Sequence, residues 1–160
     1  MSNTTLPPLV ANIRAGNVTW QRLENLNFEL LGYFLSCHLI IEHYLDEYLK
    51  TRFPMLDWEA SRQTFAQKVS LLSKDNYPEK YNSIPAIKHL NSLRNKLSHN
   101  INFQIASKDL LPLTDYLKKS AAPLELTDPK EILEQFTMMV CVWFASGINS
   151  TAQQSKITRK

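Results

Sequence analysis

Apolar residues recur along most of this chain at intervals of three and four, the repeat of a helix that buries one face. Between Trp20 and Arg52 the stripe runs Leu26, Leu30, Phe34, Ile41, Leu45 and Leu49, with Cys37 sharing the face of Phe34 and Ile41. It predicts one long helix, capped by Thr19 and stopped by Pro54, with Gly32 marking a kink or a close helix crossing. A second pattern opens on Asp57 as cap, with Trp58 and Glu59 in the first turn and Phe65, Val69 and Leu72 facing inward. Residues 73–83, SKDNYPEKYNS, are polar without alternation and read as a loop. Ser83, followed by Pro85, caps a fourth segment whose stripe is Ile84, Ile87, Leu90, Leu93, Leu97 and Ile101. Pro112 interrupts a shorter helix holding Leu113, Tyr116 and Leu117, and AAPLELTDP is a linker. Asp128, Pro129 and Glu131 form a strong helix start. The helix they begin would bury Ile132, Phe136, Met139, Val140 and Trp143 and end at Gly147.

No segment alternates as a strand should, and no internal repeat is present. The expected fold is all-α, a helical bundle of about four to six helices. Residues 1–18 are expected to be weakly structured or a short helix, 19–149 to form the bundle, and 150–160 to be a mobile basic tail.

Composition narrows the chemistry. A length of 160 residues suits a single domain with a real core, and 44% hydrophobic residues mark a globular chain. Three glycines, with neither a GxGxxG nor a Walker A pattern, disfavour a glycine-rich phosphate loop. The net charge of +3 is too small to announce nucleic acid by itself. Cys37 and Cys141 sit in apolar helical surroundings and read as buried thiols of a reducing compartment. No CxxC or HxxxH spacing occurs, so neither a metal nor another cofactor is expected. The start, MSNTTLPPLV, has no basic, apolar signal-peptide character. The most apolar stretch, Phe136 to Ile148, is shorter than the roughly 20 residues a bilayer requires. A cytoplasmic protein without membrane attachment is the expectation.

One helix carries more than a core stripe. In LNSLRNKLSHN, residues 90–100, the apolar positions Leu90, Leu93, Leu97 and Ile101 occupy only about 80° of the helical wheel. Beside them runs a polar arc in the angular order Arg94, Ser98, Asn91, Asn95, His99, with Arg94 half-buried against the stripe. A polar helix face is ordinarily just solvated. This one, however, is built from Ser and Asn, indifferent helix formers, where Glu, Lys or Ala would be more comfortable. It also unites a permanent cation, a group that titrates near neutrality and an amide to orient them. Such a set suits a phosphodiester: arginine neutralises the phosphoryl oxygens and histidine moves protons.

Arg94-Asn95-Lys96-Leu97-Ser98-His99 matches the R-x4-H motif of the HEPN superfamily, with asparagine directly after arginine. HLIIEHYLDEYL and TFAQKVSLL precede it much as successive helices do in bacterial single-domain HEPN-like proteins, and the resemblance spans roughly residues 28–101. It implies a metal-independent endoribonuclease, a toxin or defence effector, whose substrate is RNA and whose homodimer joins two motifs in one cleft. On that pattern Arg94 stabilises the phosphorane-like transition state, His99 is the general acid or base, and Asn95 holds the imidazole or the phosphate. It also implies a possible antitoxin or regulatory protein as partner. Toxins of this kind that are neutralised by nucleotidyltransferases carry a tyrosine two residues after the histidine, where this chain has Ile101. Other HEPN domains are non-catalytic RNA- or protein-binding modules, which is the alternative reading.

Around this core of Arg94, His99 and Asn95, the supporting candidates are Glu42, Ser98 and Asn91. Glu42 lies between apolar residues in HLIIEHYL and is a candidate to pair with Arg94 and fix its fork. The candidate RNA-binding residues are Lys68 and Lys96, helped weakly by Lys156, Arg159 and Lys160 of the tail. His38 and His43 are five apart and share no face. His89 belongs on the helix surface or at a bundle interface, and Trp58 and Trp143 are packing residues.

Overall fold

The computed structural model describes residues 10–20, 26–72, 78–100, 103–120 and 125–157. Six α-helices dominate: α1 Phe28–Arg52, α2 Trp58–Ser61, α3 Phe65–Leu72, α4 Ile84–His99, α5 Leu111–Ser120 and α6 Pro129–Ile157. Short 3-10 turns at Glu79–Tyr81 and Ser107–Leu110 lead into α4 and α5. The all-α bundle expected from the periodicity is present, with one addition at its N-terminal side.

That addition is a hairpin of β1, Val10–Arg14, and β2, Asn17–Trp20, paired antiparallel with an irregularity between Val10 and Asn12. Ala15 (φ 48°) and Gly16 (φ 80°) make its two-residue turn, both in the left-handed region that matches the twist of paired strands. β-branched Val10, Ile13, Val18 and Thr19 favour the extended state. Thr19 is therefore a strand residue rather than a helix cap. The cap of α1 is Asn27, whose Oδ1 accepts from the Leu30 amide at 2.9 Å, so the long helix starts at Phe28.

The second segment also divides. Asp57 caps α2 as expected, accepting from the Ala60 amide at 2.9 Å, but Arg62 adopts a left-handed conformation (φ 41°) and ends the helix after one turn. Thr64 then starts α3: its Oγ1 accepts from the Gln67 amide at 3.3 Å while Gln67 Oε1 accepts from the Thr64 amide at 2.8 Å. Ser83 precedes α4 at the cap position, but its side chain makes no cap bond; Asn82 Oδ1 accepts from the Ile84 amide at 3.1 Å instead.

The core is the shared interior of α1, α3, α4, α5 and α6. Phe34, Ile41, Leu45 and Leu49 of α1 meet Leu133, Phe136, Val140 and Phe144 of α6, while Ile87, Leu90 and Leu93 of α4 and Leu113 and Leu117 of α5 close the other side. Met139, Trp143 and Leu97 are only partly buried and pack on its margin. Cys37 and Cys141 are buried free thiols, and burial raises both, Cys141 to about 11. An ion pair of Lys130 with Glu29 joins the start of α6 to the start of α1.

Two glycine assignments exchange roles. Among the described residues nothing lies within 4 Å of a β-carbon placed at Gly32, so none of their helices crosses closely there. Gly147 lies within α6, which continues to Ile157, and a β-carbon there would stand 2.5 Å from Cε2 of Tyr48. Gly147 thus permits a close approach of α6 to α1 rather than ending a helix, and residues 150–157 are helical rather than a tail. Tyr48 is held by Trp143 (ring centroids 5.3 Å) and Phe144 (5.4 Å), so it has little freedom to yield. Gly147→Ala should therefore lose stability by about 1–3 kcal/mol, although alanine is the better helix former by roughly 1 kcal/mol; urea midpoints of the two proteins compare them directly.

α6 is also longer than the apolar stretch Phe136 to Ile148. By length and composition Pro129–Gln153 suffices to cross a membrane, a test that the core helix of a bundle also passes. Ile101, residues 121–124 of the AAPLELTDP linker, and Arg159 and Lys160 lie outside the described residues, as does the side chain of Lys156.

Candidate functional site

α1, α3 and α4 border a groove of about 480 Å³, lined by His38 and Glu42 of α1, Thr64, Phe65 and Ala66 at the start of α3, and Asn91, Arg94 and Asn95 of α4. The helical repeat explains the grouping. His38 and Glu42 are one turn apart on α1, and Asn91, Arg94 and Asn95 are three and four apart on α4. The leucine stripe docks α4 in the core and so fixes which side of that helix meets the groove.

The sequence-derived candidates divide between the groove and its surroundings. Arg94, Asn95, Asn91 and Glu42 line it together. Arg94 is exposed rather than half-buried, and its Nη1 donates to Asn95 Oδ1 at 3.4 Å. It has no ion pair among the described residues. His99 is exposed at the last position of α4 and does not line the groove. Its direction from the helix axis differs from that of Arg94 by about 140°. Ser98 Oγ donates to the backbone carbonyls of Arg94 (3.0 Å) and Asn95 (3.1 Å), so its hydroxyl is committed to its own helix.

Glu42 does not pair with Arg94. Lys68 takes it, at 3.3 Å, and also holds Asp46, with Nζ 2.8 Å from Oδ1 and 3.1 Å from Oδ2. The reason is geometric: Glu42 and Asp46 are one turn apart on α1, and Lys68 of α3 reaches between them. Burial works against the Lys68 ammonium, but the hydrogen bonds and charges of Asp46 and Glu42 outweigh it, and its pKa is raised. Lys68 is thus a neutralised cross-link between α3 and α1, not a free cation for RNA. Lys96 lies over the Phe103 ring, 5.9 Å from its centroid, away from the groove.

His38 is the residue sequence reasoning passed over. It is buried, 5% exposed, with its ring 4.5 Å from that of Phe65 and Nε2 3.4 Å from Asn91 Oδ1. Its position one turn from Glu42 was a usable signal. Burial lowers its pKa from the ordinary 6.5, and the Arg94 charge acts the same way; the Asn91 hydrogen bond and Glu42 pull upward without restoring it. The folded state therefore favours neutral His38. The sign follows: the unfolded chain binds the extra proton first, so the stability tied to neutral His38 is complete above about pH 6.5 and is lost as pH falls through the lower folded value. Denaturant midpoints at pH 7 and pH 5 should fall further for the wild-type chain than for His38→Gln; equal falls would rule out this linkage.

The other histidines are spoken for or remote: His89 Nε2 is 2.7 Å from the Asp109 carbonyl, and His43 packs on Tyr44 at an exposed site on α1. Trp58 donates from Nε1 to the Phe53 carbonyl at 3.2 Å, a packing role as expected. Among the described residues no three His, Cys, Asp or Glu side chains gather as a metal-ligand set. Comparisons with protein-family models, with curated proteins and with solved structures give no match.

Proposed function

We propose that this chain is a HEPN-type, metal-independent endoribonuclease that acts as a cytoplasmic homodimer, as a toxin or defence effector. The observation that carries the reading is Arg94: an exposed guanidinium with no ion pair among the described residues, flanked by two amides at the edge of a groove. Its fork is available for the equatorial oxygens of a phosphodiester. Cleavage would proceed by attack of the ribose 2′-oxygen on phosphorus, with departure of the 5′-oxygen, giving a 2′,3′-cyclic phosphate and a 5′-hydroxyl end. One base removes the 2′-hydroxyl proton and one acid supplies a proton to the leaving oxygen. A single His99 offers one such group; a twofold axis that joins two α4 surfaces would supply the second.

The position of His99, exposed at the end of α4 and outside the groove lining, favours a second reading, a non-catalytic RNA- or protein-binding module that uses the groove alone. Purified chain incubated with varied RNAs in EDTA separates the two. Cyclic-phosphate ends expected from the wild type, and absent when the scissile ribose lacks its 2′-hydroxyl, support the nuclease. Retention of RNA without any cleavage supports the binding module.

A further inference from the structure

α1 brings to the groove an imidazole that the R-x4-H motif does not contain. His38 is faced by Glu42 from its own helix, by Asn91 and Arg94 from α4 and by Phe65 from α3; Lys68 of α3 is occupied by Glu42 and Asp46. Its one side-chain hydrogen-bond partner among the described residues is Asn91 Oδ1, at 3.4 Å. A carboxamide oxygen only accepts, so the tautomer that fits this contact is the one protonated at Nε2.

We infer that His38 is a positioning residue of the phosphodiester site: it turns the Asn91 carboxamide so that the Asn91 Nδ2 hydrogens join the Arg94 guanidinium as donors to an anion in the groove. This role rests on the reading of Arg94 as a phosphate ligand. Three features support it. Asn91 lies three residues before Arg94 and four before Asn95, so their side chains form one continuous surface. An asparagine amide is nearly symmetric in shape, so the hydrogen-bonding neighbour decides which end faces the ligand, and an Nε2-protonated His38 holds the oxygen. His38 is itself buried, with its ring tilted against that of Phe65, so it transfers the rigidity of the core to a group at the edge of the groove. Asn91 Nδ2 makes no hydrogen bond among the described residues, which leaves it to a ligand.

The test is binding, independent of cleavage. The full chain, labelled with ¹⁵N, is titrated with inorganic phosphate and with a dinucleotide that lacks the attacking 2′-hydroxyl. The Asn91 side-chain amide signal is expected to move with both probes. His38→Phe keeps a ring against Phe65 but removes the donor, and should weaken dinucleotide binding about tenfold, the scale of one hydrogen bond to a charged group. His38→Gln restores a donor and should recover most of that loss. Asn91→Ala should lose as much as His38→Phe, and the double variant no more than either alone, because the two residues act as one unit. Asn91 is only partly buried, so its variant reports even if His38→Phe is too unstable to use. An unmoved Asn91 signal in the wild type, wild-type affinity in His38→Phe or Asn91→Ala, or additive losses in the double variant would overturn the inference. Binding as expected without RNA cleavage would instead count against the nuclease alone.

Discussion

His99→Ala is expected to lower RNA cleavage by about 100- to 10,000-fold, the range for loss of a general acid or base, and to leave folding and RNA affinity nearly unchanged. The separation between activity and stability follows from placement. His99 is exposed at the end of α4, with no part in the core, and the helix end has its own bond there, the Asn100 amide donating to the Lys96 carbonyl at 2.9 Å. Arg94→Ala should differ in kind. On the proposed mechanism it removes a group that meets both substrate and transition state, so affinity and turnover should both fall. Arg94→Lys keeps the charge but not the planar fork and should recover only part of the loss. Single-turnover rates with affinities measured beside them distinguish these patterns. Cleavage that persists unchanged in both alanine variants would remove the nuclease reading.

The second large effect belongs to the core. Phe144→Ala is expected to cost about 3–5 kcal/mol. Phe144 is fully buried, with its ring edge-on to Trp143 at 5.2 Å and tilted against Tyr48 at 5.4 Å, beside the close approach allowed by Gly147. For a chain of this length each kcal/mol corresponds to roughly 2–4 °C in Tm. A thermal melt is therefore expected to move by about 6–20 °C. α1, which Phe144 supports, is also the helix that carries His38 and Glu42, so RNA binding should weaken in the same variant well below its new Tm. A shift under about 3 °C would mean that the aromatic cluster does not carry the α1–α6 contact.

The helices were legible because each buries one stripe, and a stripe shows itself in spacing alone. The same property explains what spacing missed. Gly32 and Gly147 look alike in sequence; only the partner helix decides which of them lies at a crossing. Arg62 in a left-handed turn broke a helix that periodicity would have continued, and the sign of a new start, Thr64 with Gln67, was present but overshadowed by Asp57. The hairpin was hidden by its brevity and by an alanine where a turn of this kind usually has a second glycine or an asparagine. At the site, the arc on α4 followed from one helix and could be placed on a wheel. The pairing of Glu42 with Lys68, and of His38 with Asn91, joins residues 26 and 53 apart in the chain. Distances of that kind are set by packing, and no local pattern announces them.

The hairpin has a thermodynamic consequence. Its strands pair chiefly with each other, two deep, and their apolar residues Ile13 and Val18 are 50% and 44% exposed. A lone two-stranded ribbon is marginal in water, whereas the amides of α1 and α6 open only when the shared core does. The hairpin and the bundle are thus expected to open as two units of unequal depth. Hydrogen exchange at Val10–Arg14 and Asn17–Trp20 is expected to proceed by local opening while the bundle, and the groove between α1 and α4, stays closed.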